Sequence, residues 1–310
     1  TGEEVGAEEL GGGSMHTHKS GVCDHLADGE EHALQLCRDA VMHLGPQPAR
    51  QQPQRPVEAP LHDPQQIYGA IPSDPKVPYD VHAVLAHLLD GSRLHPFKQN
   101  YGPTLVCGFA HIMGYAIGVV ASNGVLFGQS ATKGAHFVQL CEQRRVPLLF
   151  LQNITGFMVG KSYEQGGITK DGAKMVQAVA CATVPKITLV IGASHGAGNY
   201  AMCGRGYGPN FMFLWPNARV SVMGASQAAQ VLLQVKEQGG ALSAEQRQAI
   251  TAPVLEKYDR ESDPYYGSSL LWDDGIIDPA QSREVVALAL SSCLQQEPPT
   301  TGPRAPVFRM

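Results

Sequence analysis

A glycine-rich turn in the middle of the chain carries residue types that nucleophilic chemistry uses. Ser194 stands between Gly192 and Gly196 in the pattern G-x-S-x-G, after an apolar run and before a helical pattern. This is the setting of the serine nucleophile in α/β-hydrolases, whose histidine base comes later in the chain. All 12 histidines lie at or before His195. The triad therefore cannot be completed in that order, and a serine hydrolase is disfavoured.

Two nucleotide-binding patterns near this turn are incomplete. The run Gly196–Ala201 outlines a dinucleotide fingerprint, but residues 172–236 contain no Asp or Glu that could bind the ribose. The run Gly156–Ser162 is one residue shorter than a phosphate loop, and residues 163–167 are not expected to open a helix. Neither pattern supports nucleotide binding.

The stretch 172–236 is nevertheless suited to bind a negative charge. Ala197 and Gly198 leave backbone N–H groups bare at the expected start of a helix, where the helix dipole favours an anion. Amides placed in this way form oxyanion holes. The alternative is structural, because glycines also let a helix approach a strand closely. The stretch contains five cations and no carboxylate: Lys174, Lys186, Arg205, Arg219 and Lys236.

The amino-terminal part of the chain contains a second group of reactive side chains, which could bind a metal ion. His16, His18, Cys23 and His25 could supply four zinc ligands. Their spacing matches no established zinc pattern. We therefore expect a metal-free loop, with zinc as the alternative.

Composition and charge exclude several classes of protein. The 310 residues are 43% apolar, and 23 Lys and Arg against 28 Asp and Glu give a net charge of -5. We expect no surface for nucleic acid or anionic lipid. Apolar runs such as 146–151 and 187–191 are far shorter than the roughly 20 residues of a membrane helix. Seven dispersed cysteines without a C-x-x-C pair indicate a reducing compartment.

Helical and strand patterns alternate along most of the chain. Continuous apolar strands that alternate with helices are typical of sheets covered by helices, so we predict an α/β fold. A hairpin is expected at Gly114-Tyr115. Helices are predicted at about 3–10, 30–44, 81–89, 130–144, 169–183, from 199, at 226–236, 244–258 and 282–294, and strands at 105–112, 116–122, 147–152, 186–191, 211–215 and 219–222.

Six motifs occur in order along the chain: Phe150–Gly160, Gly167–Val176, Ala180–Lys186, Gly196–Tyr200, Trp215–Arg219, and Tyr265-Tyr266 with Trp272–Ala280. Together they resemble the carboxyltransferase β subunit of biotin-dependent acyl-CoA carboxylases. Within this family the chain is most similar to the subunits that act on methylcrotonoyl-CoA, including the final Val307–Met310.

The resemblance implies a crotonase-like (ClpP/crotonase) ββα spiral, which the family repeats in an N-domain and a C-domain. Residues 1–45 would be the end of the N-domain, and residues 80–310 the carboxyltransferase C-domain. The Pro- and Gln-rich residues 46–79 are expected to form an extended linker. The earlier N-domain, with its own oxyanion hole, would precede Thr1.

The resemblance also implies an activity, the transfer of CO2 from carboxybiotin to an acyl-CoA. The expected substrate is 3-methylcrotonoyl-CoA of leucine degradation, with geranyl-CoA or another acyl-CoA as the alternative. Biotin would be carried on a biotinylated α subunit, which also uses ATP and bicarbonate. The β subunits would form a homo-oligomer in an α6β6 holoenzyme, in the mitochondrial matrix of a eukaryote or the cytoplasm of a bacterium. A truncated or non-catalytic homologue that keeps only the subunit interface is the second alternative.

By match to the family, the N–H groups of Ala197 and Gly198 would hold the ureido oxygen of biotin, next to Gly196. The carbonyl of Phe157 would face a biotin ring nitrogen. The family needs no side-chain base, because biotin itself takes the proton from the acyl-CoA.

Residues 90–119 match the region that the family associates with acyl-CoA. The resemblance therefore places Arg93 and Lys98 near the CoA phosphates, and the alternative is that both are solvated surface cations. Six positions depart from the usual residues of the family: His111, Ser122, His195, Ala201, Ala225 and Ser226.

Overall fold

The computed structural model describes residues 2, 4–20, 23, 25–42, 55–72, 77, 79–238, 240 and 242–294. The chain forms two compact units, one of residues 1–48 with 305–310 and one of residues 49–304. No helix in these described ranges is long and apolar enough to cross a membrane.

The first unit contains short helices and one longer helix. These are α1 (Ala7–Gly11), α2 (Gly13–Met15), a π-helical turn at His16–Ser20 and α3 (Glu30–Met42). The helix predicted at 30–44 is confirmed as far as Met42, and residues 43 and 44 lie outside the described residues. The helix predicted at 3–10 is shorter and begins later, and Gly12 ends it by taking an extended conformation.

The second unit holds nine labelled helices and eight strands in its described residues. The helices are α4 (Val81–Leu88), α5 (Gly128–Arg144), α6 (Lys161–Gln165), α7 (Ile168–Cys181), α8 (Gly196–Ala201), α9 (Ala225–Glu237), α10 (Ala244–Ser262), α11 (Pro264–Ser269) and α12 (Ser282–Cys293). The strands are β1 (His95–Pro96), β2 (Leu105–Ile112), β3 (Tyr115–Ser122), β4 (Leu148–Ile154), β5 (Lys186–His195), β6 (Phe211–Leu214), β7 (Arg219–Ser221) and β8 (Gly275–Ile276).

All eight strands belong to one sheet in the order β1-β2-β3-β4-β5-β6-β8, and β7 pairs with the last residues of β5. The first three strands are antiparallel, and the pairings from β3 to β8 are parallel. The predicted hairpin is confirmed, with Ile112 opposite Tyr115 and a two-residue turn. Both turn residues, Met113 and Gly114, have positive φ, as a type I′ turn requires.

Helices cover both faces of this sheet, which explains the unbroken apolar strands. On β4, Leu149 and Leu151 face the core that α4 and α12 share, whereas Leu148 and Phe150 face the core formed by α5 and α7. All four side chains are fully buried. The continuous apolar pattern of the sequence therefore reflects a central strand with two buried faces.

The hairpin turn is held by a buried carboxylate. Asp90 Oδ1 accepts a hydrogen bond from the Met113 amide, and Oδ2 accepts one from the Gly114 amide. Arg283 of α12 neutralises Asp90, with Nη2 2.7 Å from Oδ1. The ion pair thus fixes the turn that joins β2 to β3.

The same arginine joins segments that are distant in the sequence. Arg283 Nη1 donates to the Leu88 carbonyl at 2.7 Å, and Nη2 donates to the Glu58 carbonyl at 2.9 Å. Arg283 is 8% exposed. One guanidinium therefore connects α12, the end of α4 and the segment before α4.

The described part of the expected linker, residues 55–72 with 77 and 79, lies within the second unit. Ile67 is 1% exposed and belongs to the core beside α4. The domain boundaries at residues 45 and 79 stay a prediction, and the extended state expected for this segment does not hold at Ile67.

Two expectations near the glycine-rich turn are wrong. Residues 161–165 do form a helix, α6, which ends before Gly167 takes a positive φ. Strand β5 continues past residue 191 to His195, because its last three residues pair with β7.

Candidate active site

The glycine-rich turn lies at the carboxyl end of the central parallel strands. Strand β5 ends at His195, Gly196 takes φ +58°, and α8 begins directly. A Cβ atom at Gly198 would lie 2.7 Å from Ile154 Cγ1 and 3.1 Å from Gly156 Cα. The glycine therefore lets α8 approach the end of β4, as the structural interpretation of the sequence expected.

The packing role of Gly198 does not use the backbone N–H groups at the start of α8, which can still donate hydrogen bonds. Ala197 and Gly198 lie in the first turn of α8, where N–H groups have no partner within the helix. Ala197 is exposed and Gly198 is buried. The start of α8 thus has Ala197 at the surface, whereas Gly198 is packed against the segment that follows β4.

The segment after β4 brings Phe157 to this location. Leu126 and Phe157 form an isolated parallel bridge, in which the Leu126 amide donates to the Gly156 carbonyl and the Met158 amide donates to the Leu126 carbonyl. These two bonds do not use the Phe157 carbonyl. The ring of Phe157 packs over Gly172, where a Cβ would lie 3.1 Å from Cε1.

An irregular pairing precedes this segment. The register between β4 and β5 shifts between Gln152 and Ile154, so that Ile154 pairs with Ser194. Bulges of this kind re-aim the chain and are common beside active sites. The shift turns the chain after β4 toward the start of α8, and the structure brings together the region of Phe157 and that of Gly196, Ala197 and Gly198.

Ser194 is fully buried within a chain of hydrogen bonds. Its hydroxyl donates to Gln152 Oε1 and accepts from Asn199 Nδ2 at 2.7 Å. Gln152 Nε2 in turn donates to the Met202 carbonyl. A buried hydroxyl with both roles occupied is a positioning group, so the structure supports the rejection of a serine nucleophile.

His195 bonds through Nδ1 to the Ser221 hydroxyl and not to the Ser194 hydroxyl. Nδ1 lies 3.0 Å from Ser221 Oγ, and that hydroxyl gives its single proton to the Met223 carbonyl. Nδ1 must therefore be the protonated nitrogen, and Nε2 the acceptor. Burial lowers the pKa of the His195 imidazole and so favours its neutral form. In the sequence, His195 was notable only because it differs from the usual residue of the family, and nothing there indicated its tautomer.

The fold neutralises most of the positive charge of residues 172–236. The Lys186 ammonium donates to the carbonyls of Val179 and Tyr207. Three other cations pair with carboxylates that lie outside the stretch: Lys174 with Asp171, Arg205 with Asp274, and Arg219 with Asp263. The amide donors of α8 are thus the feature of this stretch that remains suited to an anion.

The two cations expected near CoA line different cavities. Arg93 lies in a cavity of about 980 Å³ that also holds His111 and is paired through both terminal nitrogens with the Glu58 carboxylate. Lys98 lines a separate cavity of about 480 Å³. The Arg93 guanidinium is therefore already neutralised by a carboxylate, whereas Lys98 has no carboxylate partner among the described residues.

The histidine-rich segment of the first unit shows no metal geometry. His18 Nδ1 bonds the Ser14 carbonyl at 3.0 Å. Among the described residues, which include His16, Cys23 and His25, no three His, Cys, Asp or Glu side chains are placed to hold a metal ion.

The fold is that of a crotonase-like carboxyltransferase domain. The Carboxyl transferase domain family matches residues 1–304, so the chain belongs to this family. It is 55% identical over 299 residues to the biotin-dependent 3-methylcrotonyl-coenzyme A carboxylase beta1 subunit of Mycobacterium tuberculosis, covering 94% of this chain and 56% of that protein. It is 49% identical over 331 residues to the probable mitochondrial methylcrotonoyl-CoA carboxylase beta chain of Drosophila melanogaster, covering 100% of this chain and 57% of that protein.

Solved structures show the same fold. The beta subunit of Pseudomonas aeruginosa geranyl-CoA carboxylase superposes with a TM-score of 0.75 at 43% identity, covering 100% of this chain and 60% of that one. The transcarboxylase 12S hexamer with hydrolysed methylmalonyl-coenzyme A gives a TM-score of 0.72 at 32% identity, with the same coverage. The chain spans little more than half the length of the relatives that it matches.

Proposed function

We propose that the chain supplies the biotin side of a carboxyltransferase site and that the complete protein transfers CO2 from carboxybiotin to an acyl-CoA. The relatives named for methylcrotonoyl-CoA favour 3-methylcrotonoyl-CoA as the substrate. Geranyl-CoA is the second candidate, because the subunit of a geranyl-CoA carboxylase superposes on the whole chain.

The observation that carries this proposal is the arrangement at the ends of β4 and β5. A urea ring has an oxygen that accepts hydrogen bonds and nitrogens that donate them. The first turn of α8 offers donors at Ala197 and Gly198, next to Gly196, and the segment at Phe157 offers a carbonyl acceptor. We propose that these donors and this acceptor bind the biotin ring; burial lowers the pKa of the neighbouring His195 and so favours its uncharged form.

When bound, carboxybiotin supplies the CO2 and the basic ureido group. In our proposal the amides of Ala197 and Gly198 would donate hydrogen bonds to the ureido oxygen, where such donors stabilise negative charge. The Phe157 carbonyl would accept a hydrogen bond from a ring nitrogen. The bonds of Ser194 to Gln152 and Asn199 hold the turn rigid, so that the amides need not reorganise during the reaction.

The partners follow from the same proposal. A biotinylated α subunit would deliver the ring and would use ATP and bicarbonate, and β subunits would assemble with it in an α6β6 holoenzyme. The hexamer named for transcarboxylase 12S is consistent with such a homo-oligomer. We place the protein in the mitochondrial matrix if its source is a eukaryote and in the cytoplasm if it is a bacterium.

The test removes one backbone donor without adding a side chain to the crowded part of the turn. Proline fits the first turn of a helix and lacks an N–H group. Ala197→Pro, in the chain joined to the amino-terminal half of a relative and supplied with a biotinylated partner, should lower carboxyl transfer by about 100- to 1000-fold. The measurement is incorporation of labelled bicarbonate into acid-stable product.

Ala197→Ser is the matched control, because it keeps the N–H group at an exposed position. It should retain transfer within a few-fold of the parent rate. Gly198→Ala is no neutral control, since its Cβ would meet Ile154. Transfer at the parent rate by a folded Ala197→Pro protein would assign the turn a structural role alone.

A further inference from the structure

A cavity of about 260 Å³ lies where strands β6 and β7 meet helices α10 and α11. The residues proposed to bind biotin, at 157 and 196–198, are not among those that line it. A concave site with apolar walls and a few polar groups is the usual form of a small-ligand site. The apolar walls are formed by Met212, Leu214, Val220, Pro264 and Trp272.

Asp273 is the lining residue whose contacts within the protein are incomplete. It is only 9% exposed. Its Oδ1 atom accepts hydrogen bonds from the Ser268 hydroxyl at 3.1 Å and from the Gly275 amide at 3.0 Å, and both bonds fix the turn before β8. Its Oδ2 atom is buried and has no hydrogen-bond partner among the described residues. Because a buried carboxylate is costly without donors, this oxygen lacks the partner that its position requires.

Two other buried carboxylates show how the same chain satisfies such a group. Asp90 has an amide donor at each oxygen and the guanidinium of Arg283 at Oδ1. Glu142 accepts two amide hydrogen bonds at Oε2 and the hydroxyl proton of Thr183 at Oε1. Each oxygen of these two carboxylates therefore has a donor, in contrast to Oδ2 of Asp273.

The other charged side chains at the cavity already have partners. Arg205 Nη2 lies 3.1 Å from Asp274 Oδ1. Asp263 pairs with an arginine of β7 at 3.6 Å, and Glu261 pairs with an arginine of α10 at 3.2 Å. The lining thus carries three carboxylates and one guanidinium, and Asp273 is the carboxylate that forms no ion pair within the described part of the chain. This charge favours a cation over an anion in the cavity.

Trp272 gives the cavity an aromatic wall next to this carboxylate. Its indole is 53% exposed, and the edge of the ring contacts Tyr266, with the ring centres 6.3 Å apart. The face of an indole ring attracts a cation, and it also covers the apolar part of a ligand. An aromatic wall beside a carboxylate is therefore suited to an organic cation.

We propose that this cavity binds a small primary amine with an apolar body. Its ammonium group would supply the donor that Asp273 lacks, and its apolar part would lie against Met212, Leu214 and Trp272. A metal ion fits less well, because no three His, Cys, Asp or Glu side chains among the described residues are placed to hold one. The inference does not depend on the proposed carboxyl transfer.

The test is isothermal titration of the full chain near neutral pH with phenethylamine, phenethyl alcohol and phenylacetate. The three probes share a phenyl ring and differ in charge. We expect the amine to bind about tenfold or more tightly than the alcohol, as expected for a charged hydrogen bond, and the acid to show no measurable binding. Equal binding of amine and alcohol, or no binding of the amine, would overturn the inference.

Asp273→Asn tests the carboxylate itself. The change keeps the Oδ1 acceptor for Ser268 and Gly275 and removes the negative charge. The affinity for phenethylamine should fall by about tenfold or more, and that for phenethyl alcohol should stay within a few-fold of the parent value. Glu256→Gln is the matched control, because it removes one carboxylate at an exposed position of α10 that does not line the cavity.

The variants and the probes decide the question independently. A folded Asp273→Asn protein that binds phenethylamine with the parent affinity would show that Asp273 does not hold the ammonium group, and the proposal would be wrong. If the same change prevents folding, the comparison of amine and alcohol on the parent chain still decides. An equal loss of affinity in Glu256→Gln would assign the binding to general surface charge and would also contradict the proposal.

Discussion

The hydroxyl of Ser194 illustrates how a motif residue can act through its contacts. It joins Gln152 of β4 to Asn199 of α8 by two hydrogen bonds. The same residue would be a nucleophile if the G-x-S-x-G pattern were interpreted alone. Because it is buried and bonded to both residues, Ser194 stabilises the turn that carries the Ala197 and Gly198 amides.

Ser194→Ala is therefore expected to act mainly on stability. The change leaves Gln152 Oε1 and Asn199 Nδ2 without their buried partner, which typically costs about 1–3 kcal/mol in the free energy of unfolding. Denaturant titration measures this cost. Carboxyl transfer by the complete enzyme should fall by less than about tenfold, whereas a true nucleophile would lose several orders of magnitude. A loss of that size in a folded protein would restore the hydrolase-like interpretation.

The free energy of unfolding should depend on pH through His195. Because burial lowers its pKa in the folded state, the unfolded chain binds a proton first as the pH falls below about 6.5. The stability from the neutral imidazole is complete above that pH and is lost as the pH falls toward the folded-state pKa.

The corresponding measurement is the free energy of unfolding at pH 7.5 and pH 5.5. His195→Gln should show a smaller loss between these values than the parent, by up to about 1.4 kcal/mol per pH unit. His111, whose pKa burial also lowers, is common to both proteins and cancels in the difference. Equal losses would show that folding does not lower the pKa of His195.

At the scale of elements, the ion pair between Asp90 and Arg283 is the contact whose loss should matter most. Asp90→Ala leaves a guanidinium buried without its charge partner and frees the amides of the β2–β3 turn. We expect the free energy of unfolding to fall by about 3–5 kcal/mol. Asp171→Ala, which breaks a more exposed pair with Lys174, is the control and should cost under about 1 kcal/mol. Similar losses for the two variants would contradict the role given to Asp90.

Most elements could be predicted, because apolar patterns report burial directly. The hairpin at Gly114 and the apolar part of β4 follow from local sequence alone. The last three residues of β5 could not be predicted, since Ala193, Ser194 and His195 are not an apolar run and become a strand only by pairing with β7. Helix α6 was missed because the glycines after it indicate a break, and that break is the boundary between α6 and α7.

The part of the candidate site that could be predicted from the sequence is the part formed by backbone groups. Ala197 and Gly198 have small side chains or none, so the sequence alone indicates that their N–H groups are uncovered. The hydrogen bond of His195 to Ser221 joins residues 26 apart, and that of Ser194 to Gln152 joins residues 42 apart.

At the scale of the whole molecule, the seven cysteines are all free and differ widely in access. Burial raises the pKa of Cys107 to about 12 and that of Cys203 to about 11, and it also raises the pKa of Cys141. Cys37 and Cys181 are exposed. Because thiolates react and thiols do not, the exposed pair should react first.

A disulfide reagent at pH 8 provides the measurement. Cys37 and Cys181 should be labelled rapidly, and Cys107, Cys141 and Cys203 only at the rate at which the second unit unfolds. Addition of denaturant should make all seven react together. Peptide mapping that found Cys107 labelled as fast as Cys181 in native protein would contradict the burial of Cys107 in β2.

The contacts of Arg283 also affect the order in which parts of the chain can fold during synthesis. Its bonds to Leu88 and Glu58 span 195 and 225 residues. During synthesis the chain from Glu58 to β6 is complete long before α12 leaves the ribosome, and one face of its sheet then lacks Val286, Ala289 and Leu290. Contacts across such separations form late, and the exposed apolar surface persists until they do. A stop codon shortly before Arg283 would therefore leave this face of the sheet uncovered.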